Sequence, residues 1–121
     1  MPRASSTSVG ATYLDRAERV ARLREAARRA AERLPSIRRV VLFGSLVAGI
    51  PTPRSDADLL VILDSSPHRE PRDRVPGLLL VLSPLPCPVD LFVLTAAEVE
   101  RAAEQGSPLL RVALATGADL L

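Results

Sequence analysis

The sequence predicts a single α/β domain in which helices cover a small sheet. Three observations carry this expectation. Three short runs, Ile37–Phe43, Asp56–Leu63 and Val89–Leu94, are rich in β-branched and other apolar residues, as strands are. Segments with helical periodicity or helix-start signals lie before, between and after them. The 121 residues suit one compact core, with residues 12–121 expected to form the domain.

Met1–Gly10 is rich in Ser and Thr without an apolar period, so residues 1–11 are expected to be a disordered leader. Thr12 is placed to cap a helix running to about Leu34. Leu14, Ala17, Ala21, Ala27, Ala31 and Leu34 recur near the helical period, and Pro35 stops it. Gly44-Ser45 closes the first strand. Leu46–Gly49 is long enough for one helical turn, and the two prolines of Ile50–Ser55 imply a loop. Pro71–Leu82 is expected to be helical, with Pro76 near its start, although Gly77 opposes this. Pro84, Pro86 and Pro88 impose an extended approach to the third strand. Thr95 and Glu98 have capping-box spacing for a helix to about Gln105. Ser107-Pro108 opens another helix, which Gly117 ends.

Composition excludes several classes. The aromatics are Tyr13, Phe43 and Phe92, so the core should be aliphatic and no platform for stacking single-stranded nucleic acid is evident. One cysteine, Cys87, and one histidine, His68, rule out a disulfide framework and a Cys/His zinc site. There is no lysine, so a Walker-type phosphate loop is excluded. No apolar run approaches the roughly 20 residues that span a bilayer, and no secretory signal opens the chain. No membrane is expected, and the cytoplasm is the default compartment. The net charge is only +2, and the arginines of the first helix read as a solvated face.

Three features suggest chemistry. Glycine at Gly44 lets backbone approach a ligand closely, and Ser45 adds a hydroxyl donor at a strand-to-helix turn, where phosphate is favoured. Asp56 and Asp58 are two apart on a strand, so their side chains share one face, about 6–7 Å apart. Carboxylates so placed suit a hard cation such as Mg²⁺. Asp90 interrupts the otherwise apolar Val89–Leu94, which is costly unless the carboxylate is solvated, paired or bound to metal. Each feature alone has a structural explanation: a simple turn, a solvated strand end, or an aspartate near the proline-rich entry.

Taken together, Val41-Leu42-Phe43-Gly44-Ser45, Ser55-Asp56-Ala57-Asp58-Leu59-Leu60-Val61 and Val89-Asp90-Leu91 resemble the signature of the DNA polymerase β-like nucleotidyltransferase superfamily. The chain is most similar to its minimal nucleotidyltransferase (MNT) branch. The resemblance implies a mixed sheet of the polymerase-palm type, two Mg²⁺ ions (or Mn²⁺), ATP as the nucleoside triphosphate, and transfer of AMP with release of pyrophosphate. It implies Asp56, Asp58 and Asp90 as metal-binding and catalytic residues and Gly44 and Ser45 as nucleotide-binding residues. Many small members act as antitoxins to an HEPN-domain toxin, so such a partner, and a homo- or hetero-oligomer, are expectations. Leu46 and Ala48 stand where members often carry arginines. That departure leaves open a binding protein that does not turn over, and would shift triphosphate contacts to Arg54, Arg69, Arg72 or Arg74. An antibiotic-type enzyme acting on a small molecule is a further alternative.

Overall fold

The computed structural model describes residues 4–44 and 57–121, residues 4–15 as backbone only. The elements are α1 (Ala4–Arg33), β1 (Ile37–Phe43), β2 (Ala57–Leu63), a 3-10 turn (Pro71–Arg74), α2 (Val75–Leu82), β3 (Val89–Thr95), α3 (Ala96–Glu104), α4 (Pro108–Thr116) and β4 (Ala118–Asp119). The strands form one mixed sheet in the order β3-β2-β1-β4. β1 is antiparallel to β2 and β4, and β2 is parallel to β3.

Alternation along the strands divides the core into two layers. Val40, Leu42, Ala57, Leu59, Val61 and Val93 face α1 and α2, where Leu23, Ala26, Ala27, Ala30, Leu78 and Leu82 meet them. Val41, Phe43, Leu60 and Ile62 face the other way, onto Leu110 and Ala113 of α4, with Val99 of α3 packed alongside. Both faces of β2 are therefore covered, which explains its nearly continuous apolar run. The core is aliphatic apart from Phe43.

α1 begins at Ala4, inside the stretch expected to be disordered and before Thr12. Once a helix is nucleated, adding residues is cheap, and no proline stands between Ala4 and Thr12 to stop it. Its buried stripe also differs in phase from the expected one: Leu23, Ala26, Ala27 and Ala30 are buried, whereas Ala17 and Ala21 are exposed. Alanine has too little apolar area to set the phase, and the larger Leu23 decides it. The arginine face is not wholly solvated. Arg29 Nη2 donates to the carbonyls of Leu82 and Pro84, at the end of α2, and Arg24 Nη1 donates to the Asp119 carbonyl.

Pro71–Leu82 is helical as expected, but its first turn is 3-10. The Thr95–Glu98 capping box is present in both directions: Thr95 N donates to Glu98 Oε1 at 2.9 Å and Glu98 N to Thr95 Oγ1 at 3.3 Å. Ser107 caps α4. After it, Gly117 passes so close to the Ala113 carbonyl and Val41 that a Cβ would collide. This allows Ala118–Asp119 to return as a strand beside β1 and buries Leu120. No described helix is long and apolar enough to cross a membrane.

Candidate functional site

The chemistry-bearing residues gather at one end of the sheet. β1 runs opposite to β2 and β3, so the end of β1 meets the starts of the other two. Phe43 pairs with Asp58, and Asp58 pairs with Asp90 across the parallel β2–β3 ladder. In-register neighbours on adjacent strands are about 4.8 Å apart and project to the same face. Asp58 and Asp90 therefore stand side by side, on the face that also carries Phe43 and Phe92, whose ring centroids are 6.0 Å apart.

Gly44 follows β1 with φ +82°, a left-handed conformation that side chains oppose. A Cβ at this position would coincide with the Asp58 carboxylate. Only glycine meets both conditions, and it brings backbone directly against the acidic group. Asp58 is half-buried and Asp90 is exposed. Burial raises the Asp58 carboxyl above its ordinary value. The negative charge of Asp90 adds to this, as does a hydrogen bond to Asp90 that favours a proton on Asp58. Two adjacent carboxyl groups form a donor set of hard oxygens suited to a divalent cation. Asp58 and Asp90 fit such an ion. No group of three or more metal-ligating side chains is found among the described residues. Asp56 and Ser45, the other expected site residues, lie outside the described residues.

Of the arginines considered for the triphosphate, Arg74 is committed elsewhere. Its side chain is 3% exposed and chelates Glu98, with Nη1–Oε1 at 2.6 Å and Nη2–Oε2 at 3.0 Å. It also donates to the carbonyls of His68, Arg69 and Val93. Arg74 thus ties the loop before α2 to the strand that carries Asp90 and to the cap of α3. The Glu98 carboxyl is held down to about 2, chiefly by the Arg74 hydrogen bonds and despite its burial. The capping-box spacing identified Glu98, but nothing in the sequence marked Arg74 as its partner. Arg69 and Arg72 are exposed, and Arg54 lies outside the described residues. His68 is exposed in its loop, and Cys87 packs against the core as a small side chain.

A family model described as a nucleotidyltransferase domain matches residues 23–114. Among solved structures, the chain is similar to a protein from Sulfolobus solfataricus that is provisionally assigned as a nucleotidyltransferase. The two share 23% identity with a TM-score of 0.56, over 71% of this chain and 75% of that one. At that identity the likeness speaks to the fold. No curated protein matches the chain.

Proposed function

The chain belongs to the nucleotidyltransferase domain family, and from that premise we propose that it transfers AMP from ATP to a hydroxyl group of a partner protein, an HEPN-type toxin. The observation that carries this reading is the side-by-side placement of Asp58 and Asp90 against the left-handed Gly44. A paired carboxylate cluster beside a glycine turn suits a metal-bound triphosphate.

Asp58 and Asp90, with Asp56 from the same sequence motif, would hold Mg²⁺. When bound, the ion supplies neutralisation of the triphosphate charge and a lowered pKa for the acceptor hydroxyl. Gly44 would offer its backbone to the outer phosphates at the end of β1, and Ser45 would add its hydroxyl there. The acceptor oxygen then forms a bond to the α-phosphorus as the bond to pyrophosphate breaks, and the hydroxyl proton leaves to water. The residues act by holding the reactants in line rather than by forming a covalent intermediate.

Leu46 and Ala48, at positions where family members often carry arginines, favour one other reading: an antitoxin that neutralises its partner only by binding it. The two are separated by incubating the partner with this protein, ATP and Mg²⁺, then isolating the partner. Transfer leaves it heavier by one or more AMP units and still inactive. Binding alone leaves its mass unchanged and its activity restored.

A further inference from the structure

β3 is the last strand of the sheet, with β2 on one side and no described strand on the other. From the residue after Asp90, a groove of about 280 Å³ follows this outer edge. Its lining includes Pro71, Val75, Phe92, Leu94 and Leu109, with a single charged side chain, Arg72. Phe92 is 37% exposed there, whereas its neighbour Val93 is 1% exposed. Arg72 is also exposed and makes no ion pair among the described residues.

Sheet order separates the two sides of the site. Gly44 ends β1, so the triphosphate belongs over β1 and β2. Asp90 lies on β3, so the acceptor belongs on the β3 side. We propose that the groove seats the acceptor, and that the acceptor is an extended protein segment with three features: a hydroxyl residue at Asp90, an apolar side chain two residues later against Phe92, and a carboxylate facing Arg72. This inference rests on the nucleotidyl-transfer reading given above. Asp90 and Phe92 are second neighbours on one face of β3, about 6–7 Å apart, the same repeat as alternate side chains of an extended peptide. The Val93 carbonyl is taken by Arg74 Nη1 at 3.2 Å, so this edge cannot pair continuously and side chains must provide the recognition.

The lining also selects against other acceptors. A nucleic acid would need several cations along its phosphates, and the groove offers one. A polyhydroxylated or polycationic small molecule would lose its hydration against apolar walls without gaining hydrogen bonds. An acidic and an apolar side chain at alternate positions of the segment match both Arg72 and the walls.

The test uses acetylated peptides with one serine or tyrosine, leucine two residues later and glutamate four residues later, on the same face of the extended segment, assayed with Mn²⁺ and α-labelled ATP. Replacing the leucine by glutamine should lower kcat/KM roughly tenfold, as expected when one buried aliphatic side chain is lost. The Phe92→Ser variant should abolish that preference. Arg72→Glu, an exposed change that leaves the core intact, should reverse the charge preference toward peptides carrying lysine in place of glutamate. Equal labelling of all peptides, or an unchanged charge preference in Arg72→Glu, would overturn the groove assignment. So would an absence of peptide labelling while calorimetry shows MnATP still binding. An absence of MnATP binding would instead overturn the underlying transfer reading, and the groove assignment with it.

Discussion

Asp58 and Asp90 occupy matching positions on parallel neighbours, β2 and β3, and burial, with the charge of Asp90 beside it, raises the Asp58 carboxyl above its ordinary range. Phe43 and Leu60, on the same face of the sheet, belong to an apolar cluster. Acidity here is a cost that a bound cation would remove.

The first prediction concerns pH and metal together. A carboxyl whose folded pKa lies above its unfolded value of 3.8 adds stability below that value and loses it as pH rises through the folded one. Without metal, Asp58→Asn should therefore be more stable than the unsubstituted protein near neutrality, by on the order of a few degrees in Tm. The difference should shrink as pH approaches 4. Mg²⁺ or Mn²⁺ should raise the Tm of the unsubstituted protein and leave that of Asp58→Asn nearly unchanged. Thermal melts across pH with and without metal check this. An equal metal response in both proteins would remove Asp58 from the site.

At Gly44 even the smallest side chain should be harmful. Gly44→Ala must place a Cβ where the Asp58 carboxylate stands, in a backbone conformation that costs roughly 1–2 kcal/mol for an L-residue. Both ATP affinity and Tm should fall, because the turn and the carboxylate are displaced together. Ser45→Ala should have a smaller effect, since it removes a hydroxyl and leaves the backbone donors. Calorimetry showing unchanged ATP affinity in Gly44→Ala would count against a phosphate-binding turn.

The Arg74–Glu98 pair should dominate acid sensitivity away from the site. Glu98 has a folded pKa of about 2 against an ordinary value of 4.5, so its contribution is present above 4.5 and is lost as pH falls through about 2. Arg74→Met leaves the partly buried Glu98 carboxylate without its counter-charge and three carbonyls without this donor, and should cost about 3–5 kcal/mol. Urea unfolding at pH 7 measures that loss. Glu98→Gln should flatten the acid limb of the stability curve while retaining part of the Arg74 contacts.

Much of the fold was legible because local chemistry and tertiary structure agree. The three strands, the 3-10 and helical segment ending at Leu82, and the Thr95–Glu98 cap all follow from periodicity and capping residues that packing does not override. β4 was not legible: two residues have no period, and their pairing depends on Gly117 fitting between Ala113 and Val41. Helix α1 started early because serine and threonine disfavour a helix only weakly. At the site, the sequence put Asp58 and Asp90 on two separate strands, and the structure adds that these strands are neighbours, their register and the contact of Asp58 with Gly44. The sequence offered Arg74 only as a triphosphate contact, because Val93 and Glu98 lie far along the chain, and only the tertiary fold shows that five acceptor atoms surround it.

Nucleotidyl transfer at the Asp58–Asp90 pair is tested most directly by following two labels. The partner protein is incubated with Mg²⁺ and either α-labelled or γ-labelled ATP, using the unsubstituted protein and Asp90→Asn in parallel. The partner should acquire the α-label and not the γ-label, and Asp90→Asn should bind the partner normally yet transfer nothing, because the carboxylate is needed in the transition state rather than for docking. Transfer of the γ-label, or α-labelling that survives Asp90→Asn, would contradict nucleotidyl transfer at this site.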